Sequence, residues 1–401
     1  MRIEILTIGD ELLDGVIADT NAQWLGQCLL DHGLTIVRST SVRDDIESIK
    51  QVMLEVSTRA DVCLCTGGLG PTNDDLTVDA LAAALAVDCA FDDVVWADIV
   101  TRYGSTPPPV NNRRQARVPV GAEALRSTVG TAPGLKVRVG RCSFFLFPGV
   151  PRELRWHVRT YLDPFLSHQA STQLFKKTLR FTGIGESNLA ESVEALAIPN
   201  SVALAYRTAL PENHIRLSGP NPTEVDDAAA LIVAHHKKCF VGFDEMSLAR
   251  TVLNLCRARG LTLSTAESCT GGLIAAELTS IPGASATFTG CIVSYSNAVK
   301  MEQLGVSATV LDTAGAVSEA CAMAMAEGVA KRLKSDIGIS ITGIAGPGGA
   351  RPGKPVGTIC FGWYGPGLKE TRRVHLRGDR DRIRVQSMGL ALDRIRREYA
   401  G

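Results

Sequence analysis

Short apolar runs alternating with helical patterns are the strongest constraint on what this chain can become. RIEILTIG, LTIVRSTSV and DVCLCTG read as strands, while TNAQWLGQCLLDHG, DDIESIKQVMLEVSTRA and LTVDALAAALA read as helices, several of them opened by Asp, Thr or Asn caps. Strand and helix in alternation imply a parallel sheet covered on both faces, because each crossover brings the chain back through a helix. Ligands of such sheets bind at the carboxyl ends of the strands. The segments that follow the strands are therefore where chemistry is expected.

The alternation continues with interruptions. TPPPVNNRRQ reads as an exposed turn before a basic helix, and RCSFFLFPGVPREL as a buried strand, a Pro-Gly turn and a helix. The pattern changes after DPFLSHQASTQ, and residues 172–243 combine the strand-like TLRFTGIGES and HIRLSGP with two helical patterns. From about residue 245 the helix SLARTVLNLCRARG opens another strand–helix series, closed by PVGTICFGWY, TRRVHLRG and a long helix from Asp379. The expected class is α/β: two α/β domains with mostly parallel or mixed sheets, residues 1–168 and 245–401, joined by a small α+β connector, 169–244. The connector shows no chemistry, and no repeat relates the two larger domains.

The chain has 401 residues, enough for two or three cores. Lys plus Arg and Asp plus Glu both total 42, so no net field draws it to nucleic acid or membrane, and any anion site must be local. No apolar run is long enough to span a bilayer, and the start MRIEILTIGD is a charged strand; a soluble, cytoplasmic protein is expected. The 11 cysteines are scattered without a CxxC pair and read as reduced core residues.

The first candidate site is TGGLGPTNDDLT, directly after the strand DVCLC. Gly67, Gly68 and Gly70, behind Thr66, free backbone amides for a phosphate or pyrophosphate, and a helix begins soon after. Asp74 and Asp75 place carboxylates beside that anion site, which makes chemical sense if a divalent cation mediates. Asp10 and Glu11, in TIGDELL, also follow a strand and can reach the same crevice. The alternative is a sharp turn whose aspartates only cap the helix. TIGDELL, DTNA, TGGLGPTNDDLT, NRRQA, GTAPG and FPGVPREL together resemble the molybdopterin-binding-like domain of the CinA family. That resemblance implies a nucleotide-pyrophosphate site, in some members an ADP-ribose pyrophosphatase dependent on a divalent metal (Mg, Mn or Co). Related domains bind pterins with the same kind of loop.

The second candidate site is AESCTGG, where Ser268 and Cys269 stand side by side at a strand-to-helix turn. A nucleophile there gains from the helix N-terminus, and the amides of the following glycines, Gly271 and Gly272, can form an oxyanion hole, with Thr270 beside them as a further substrate-binding residue. No histidine falls in a suitable loop, and His375 reads as a half-buried sheet residue. Lys300, at the end of SYSNAVK, is a candidate base if desolvation lowers its pKa, with Tyr295 close by. The plain alternatives are Ser268 as an N-cap, Lys300 as a solvated helix residue and Cys269 either as a buried hydrophobe or as the nucleophile itself. TGIAGPGG is a second glycine-rich turn, and GDRDR sets Arg380 at a helix start, where it can pair with a phosphate.

These segments, with GAVSEACA and KPVGT between them, resemble the C-terminal CinA domain, also found alone as nicotinamide mononucleotide deamidase. The resemblance implies pyridine-nucleotide recycling: hydrolysis of the carboxamide of nicotinamide mononucleotide to nicotinate mononucleotide and ammonia, with no cofactor. Ser268 would be acylated and Lys300 would be its base. Tyr295 and Arg380 match positions tied to the dyad and to substrate, with Thr342, Gly343 and Gly346 around the ligand. The family also implies a homodimer. Ala350–Gly353 form an insert that departs from the family pattern. A reading from another class is a pterin- or nucleotide-binding module without turnover, linked to competence; the absence of a basic or aromatic stripe speaks against direct nucleic-acid contact.

Overall fold

The computed structural model describes residues 1–169 and 174–400. It divides into two compact units, Met1–Leu174 and Phe175–Gly401. The predicted boundary at 168/169 adjoins residues 170–173, which lie outside the described residues.

The principal elements of the first unit are β1 (Ile3–Ile8), α1 (Thr20–Asp31), β2 (Ile36–Val42), α2 (Ile46–Arg59), β3 (Val62–Thr66), α3 (Thr77–Leu85), β4 (Glu123–Leu125), β5 (Gly134–Val139), β6 (Cys142–Phe147), α4 (Pro151–His157) and α5 (Asp163–Gln169). The sheet runs β2-β1-β3-β6-β5-β4, parallel through β2, β1, β3 and β6 and antiparallel beyond. The expected mixed α/β class is what forms. Strand parity explains why its apolar runs are continuous: Ile3, Ile5, Val62 and Leu64 enter one core, while Leu6, Ile8, Cys63 and Cys65 enter the other. From β1 the chain turns one way to β2 and the other way to β3, so a crevice opens at that switch point. The basic helix expected at NNRRQ is a seven-residue 3₁₀ helix, Val110–Ala116, behind three prolines that lack amide donors.

The second unit holds two sheets. β7 (Phe175–Thr182), β8 (Ala203–Ala209), β9 (Glu212–Gly219) and β10 (Phe240–Phe243) form an antiparallel sheet in the order β8-β9-β7-β10, with helices α6 (Glu186–Glu194) and α7 (Pro222–His235). The other sheet is built from β11 (Leu263–Glu267), β12 (Phe288–Val293), β13 (Ile337–Gly343), β14 (Thr358–Gly365) and β15 (Leu368–His375), in the order β12-β11-β13-β14-β15. Its helices are α8 (Leu248–Ala258), α9 (Leu273–Thr279), α10 (Asn297–Leu304), α11 (Glu319–Leu333) and α12 (Arg380–Tyr399). β12, β11 and β13 are parallel, so their carboxyl ends share one edge. On β13, Ile337, Ile339 and Ile341 enter the core against α8 and α12. Gly338 on the other face is small because a Cβ there would lie 2.0 Å from the Ala326 carbonyl of α11. His375 is exposed at the end of β15 rather than half-buried in the sheet, because this edge strand stops there.

Candidate active sites

The first site is a cleft of about 470 Å³ at the carboxyl ends of β1, β3 and β6. Gly67, φ 108°, lets the two central strand ends close up: a Cβ there would sit 2.0 Å from the Ile8 carbonyl. Gly68, φ 65°, turns the chain over Thr77, whose hydroxyl donates to the Gly67 carbonyl at 2.9 Å. Thr66 is buried; its hydroxyl accepts from the Asn21 amide and donates to the Pro148 carbonyl, both at 3.2 Å. Asn21 also donates to the Gly149 carbonyl at 2.7 Å, which ties α1 to the turn after β6.

The carboxylates divide into two kinds. Asp75 accepts from the amides of Gly70 (2.7 Å) and Thr72 (2.8 Å) and from the Thr72 hydroxyl, so its charge is spent holding the glycine loop in shape. Glu11, Asp74 and Asp44 face the cleft more freely, and Glu153 lines it as well. Asp10 does not line the cleft; its amide donates to Asp44 at 3.0 Å and its carboxylate stands 3.4 Å from Arg43. Burial pushes the Asp44 carboxyl up, opposed by an amide of Asp10 and reinforced by the charges of Asp10, Glu11 and Asp74. Burial also raises Glu153. Neither Asp44 nor Glu153 was singled out from the sequence. Asp44 was findable, since it follows LTIVRSTSV as Asp10 follows RIEILTIG; Glu153 carries no such signal, because it comes from the turn of α4.

In the second site the parallel strand ends of β11, β12 and β13 meet. Ser268 follows β11, half-buried, and Lys300 of α10 donates from Nζ to Ser268 Oγ at 3.1 Å. The Lys300 amine also donates to the Ser294 carbonyl just past β12. Helical side chains lean toward the helix N-terminus, so a lysine in the first turns of α10 reaches back over the strand ends. Lys300 is only 1% exposed, and burial lowers its pKa from the ordinary lysine value. The solvated-lysine alternative therefore fails on geometry. Cys269 is in the hydrophobic core, where burial drives its thiol up to about 12, so almost none is thiolate at neutral pH.

The turn differs from expectation in its amides. Gly272 donates to the buried Glu267 carboxylate at 2.9 Å, and Gly271 donates to the Ser268 carbonyl at 3.1 Å. Both amides are consumed inside the turn. The N–H groups of Cys269 and Thr270 donate to no other backbone group among the described residues, which leaves them as the candidate oxyanion donors of the turn. Glu267 also accepts from Ile274 at 3.2 Å and Ala275 at 3.0 Å, capping α9 from beneath. The sequence reading passed over Glu267, since a carboxylate ending an apolar strand carries no charge pattern.

Arg380 forms the rim. Its Nη1 donates to the Gly346 carbonyl at 2.6 Å and its Nη2 to the Tyr295 hydroxyl at 3.1 Å. One turn later Arg384 donates to the Thr270 carbonyl at 2.9 Å and braces the turn after β11; the i, i+4 spacing in GDRDRIR was its only sequence signal. Thr342 is buried and donates to the Ala316 carbonyl at 2.7 Å, which ties the end of β13 to the segment before α11. Gly343 closes β13 where a Cβ would meet Ile359 at 2.4 Å, and Gly346 takes φ 87°.

Residues 245–399 match the CinA C-terminal domain, and residues 4–168 match a probable molybdopterin binding domain. A CinA-like protein of Synechococcus sp. is 40% identical over 98% of this chain and 97% of its own length. The chain belongs to the CinA family. A second CinA-like protein, from Gemmatimonas aurantiaca, is 41% identical over 100% of this chain and 97% of its own. A crystal structure of CinA from Thermoplasma acidophilum, described there as of unknown function, covers 41% of this chain and 97% of that one at 31% identity and a TM-score of 0.39. The two domain matches, residues 4–168 and 245–399, leave the antiparallel sheet of residues 175–243 between them. No helix among the described residues of this CinA-family chain is long and apolar enough to cross a membrane.

Proposed function

We propose that the second unit is an amidohydrolase that converts nicotinamide mononucleotide and water to nicotinate mononucleotide and ammonia. The observation that carries this reading is the Ser268 Oγ to Lys300 Nζ approach of 3.1 Å with the amine out of water. A neutral Lys300 takes the Ser268 proton as Oγ attacks the carboxamide carbon, and the oxyanion lies against the amides of Cys269 and Thr270. The C–N bond breaks as Lys300 returns the proton to the departing nitrogen, which leaves as ammonia. Water then attacks the ester, giving a proton to Lys300, which passes it to Ser268 Oγ as the C–O bond breaks and the acid leaves. Arg380, fixed by Gly346 and Tyr295, offers its remaining N–H groups to the phosphate of the mononucleotide. No step needs a metal.

In the first unit we read the cleft as a nucleotide-pyrophosphate site, with ADP-ribose as substrate class. The raised Asp44 carboxyl among Asp10, Glu11 and Asp74 is the arrangement a divalent cation relieves, so oxygen donors from Glu11, Asp44 and Asp74 fit Mg, Mn or Co. Such a cation supplies charge neutralisation at the pyrophosphate. Asp75, occupied by the loop, favours a second reading for this unit, nucleotide or pterin binding without turnover.

The test is ammonia release from nicotinamide mononucleotide without added metal. Wild type and Cys269→Ala turn over, while Ser268→Ala and Lys300→Ala lose at least about a thousandfold. An inactive wild type, or an inactive Cys269→Ala that is folded, sinks the serine reading. Separately, ADP-ribose cleavage with Mn²⁺ that depends on Asp44 and Asp74 supports turnover in the first unit, and tight ADP-ribose binding without cleavage supports the binding reading.

A further inference from the structure

Cys28 lies on helix α1 and His32, four residues on, is the C-cap at its end, so the two side chains come to the same side. Asp163, the first residue of α5, meets them there. Its Oδ1 accepts from Cys28 Sγ at 3.3 Å and lies 3.2 Å from His32 Nε2. One ligand atom from each of the three residues lies within 4.8 Å of the others. His32 and Asp163 keep 20% and 32% of their side-chain surface exposed, so an ion can reach them.

We propose that Cys28, His32 and Asp163 form a site for one divalent transition-metal ion of the zinc or cobalt class, stapling α1 to α5. A thiolate, an imidazole and a carboxylate are a borderline-soft donor set, which selects such ions over magnesium or calcium. With metal–ligand bonds of about 2.0–2.3 Å, ligand atoms in a tetrahedral site stand about 3.3–3.7 Å apart. The two short edges, 3.2 and 3.3 Å, are already near that spacing. Binding releases the Cys28 thiol proton to solvent, and the imidazole proton sits on Nδ1 so that the Nε2 lone pair faces the ion. Thiolate and carboxylate then balance the two positive charges, and a water can fill the fourth position.

The site is chemically distinct from the carboxylate cluster of the cleft, whose donors are all oxygens. It also has a mechanical connection to that cleft, because α1 carries Asn21, which holds Thr66 and Gly149. Seven of the cysteines are buried, as the sequence reading expected of core residues, but Cys28 is only half-buried and has polar neighbours.

The test uses the full-length protein, stripped with a chelator, kept reduced and titrated with Co²⁺. A thiolate ligand gives a sulfur-to-cobalt charge-transfer band, and an oxygen-only site does not. One equivalent of ion should produce the band, Zn²⁺ should displace it, and the melting temperature should rise with metal. Cys28→Ser should abolish the band, and His32→Gln and Asp163→Asn should weaken Co²⁺ binding at least about tenfold. Far-UV circular dichroism establishes that each variant is folded; if Cys28→Ser does not fold, the His32→Gln affinity decides. Absence of the band in the wild type, its persistence in folded Cys28→Ser, or unchanged affinity in His32→Gln overturns the site and leaves a hydrogen-bonded clamp.

Discussion

At the scale of the residue, the molecule's chemistry turns on what burial does to two side chains. The same desolvation that raises the Cys269 thiol to about 12 lowers the Lys300 amine, so in the proposed mechanism one neighbour of Ser268 is silenced and the other can serve as the base. Because acylation needs the neutral amine, kcat/KM for nicotinamide mononucleotide should climb tenfold per pH unit and level off at a pKa below the ordinary lysine value of 10.5. Lys300→Arg keeps the charge but cannot lose it, and should be inactive across that range. A plateau unchanged in Lys300→Arg would remove Lys300 from the mechanism. The stability effect follows from the same shift. Between its folded pKa and 10.5 the unfolded chain binds more protons than the folded one, so stability rises with pH through that window, and below it the folded state carries the cost of a buried charge. Lys300→Met should therefore melt higher than wild type at pH 7 while losing turnover.

At the scale of the element, the turn that carries Ser268 is held from beneath by Glu267. This carboxylate is fully buried and takes three amides, from Gly272, Ile274 and Ala275. Positive N–H groups at the start of α9 stabilise its charge, and it leaves the Cys269 and Thr270 amides to point elsewhere. Glu267→Ala should cost roughly 3 kcal/mol or more in urea unfolding, since charge-assisted bonds contribute about 1.5–3 kcal/mol each and partly overlap. Glu267→Gln, which keeps the shape but offers one acceptor oxygen, should lower kcat more than it raises KM. A Glu267→Gln enzyme with wild-type kcat would show that the turn holds its form without the carboxylate. Strand-end position was readable at this scale, because apolar runs followed by TGG or SCTGG mark where parallel strands stop. Which amide each carboxylate takes was not, because it depends on how the turn folds back on its own strand.

For the molecule as a whole, the antiparallel sheet and the last α/β sheet share one compact unit. Glu212 of β9 accepts from the Leu248 amide at 2.7 Å at the start of α8, and Arg396 of α12 donates to the Phe240 and Lys238 carbonyls at 2.8 and 2.6 Å. Arg396 is buried, so a fragment of residues 245–401 leaves it without two acceptors. That fragment should melt below a fragment of residues 175–401, and the longer one should keep the amidase rate of the full chain; equal melting of the two would deny the sheet a supporting role. The alternation of strands and helices and the two glycine-rich turns were determined by the sequence alone, because apolar periodicity and loop composition are local properties; the pairing of Ser268 with Lys300 was implied by the family resemblance, since the residues alone left Lys300 as either a base or a solvated helix residue. The tertiary structure alone decided that Asp75 is spent within its loop, that Asp44 and Glu153 join the first cleft, that Glu267 takes the Gly272 amide, and that Cys28 and His32 meet Asp163. Each depends on side chains brought together from separate elements, and burial and distance between such elements exist only once the chain has folded.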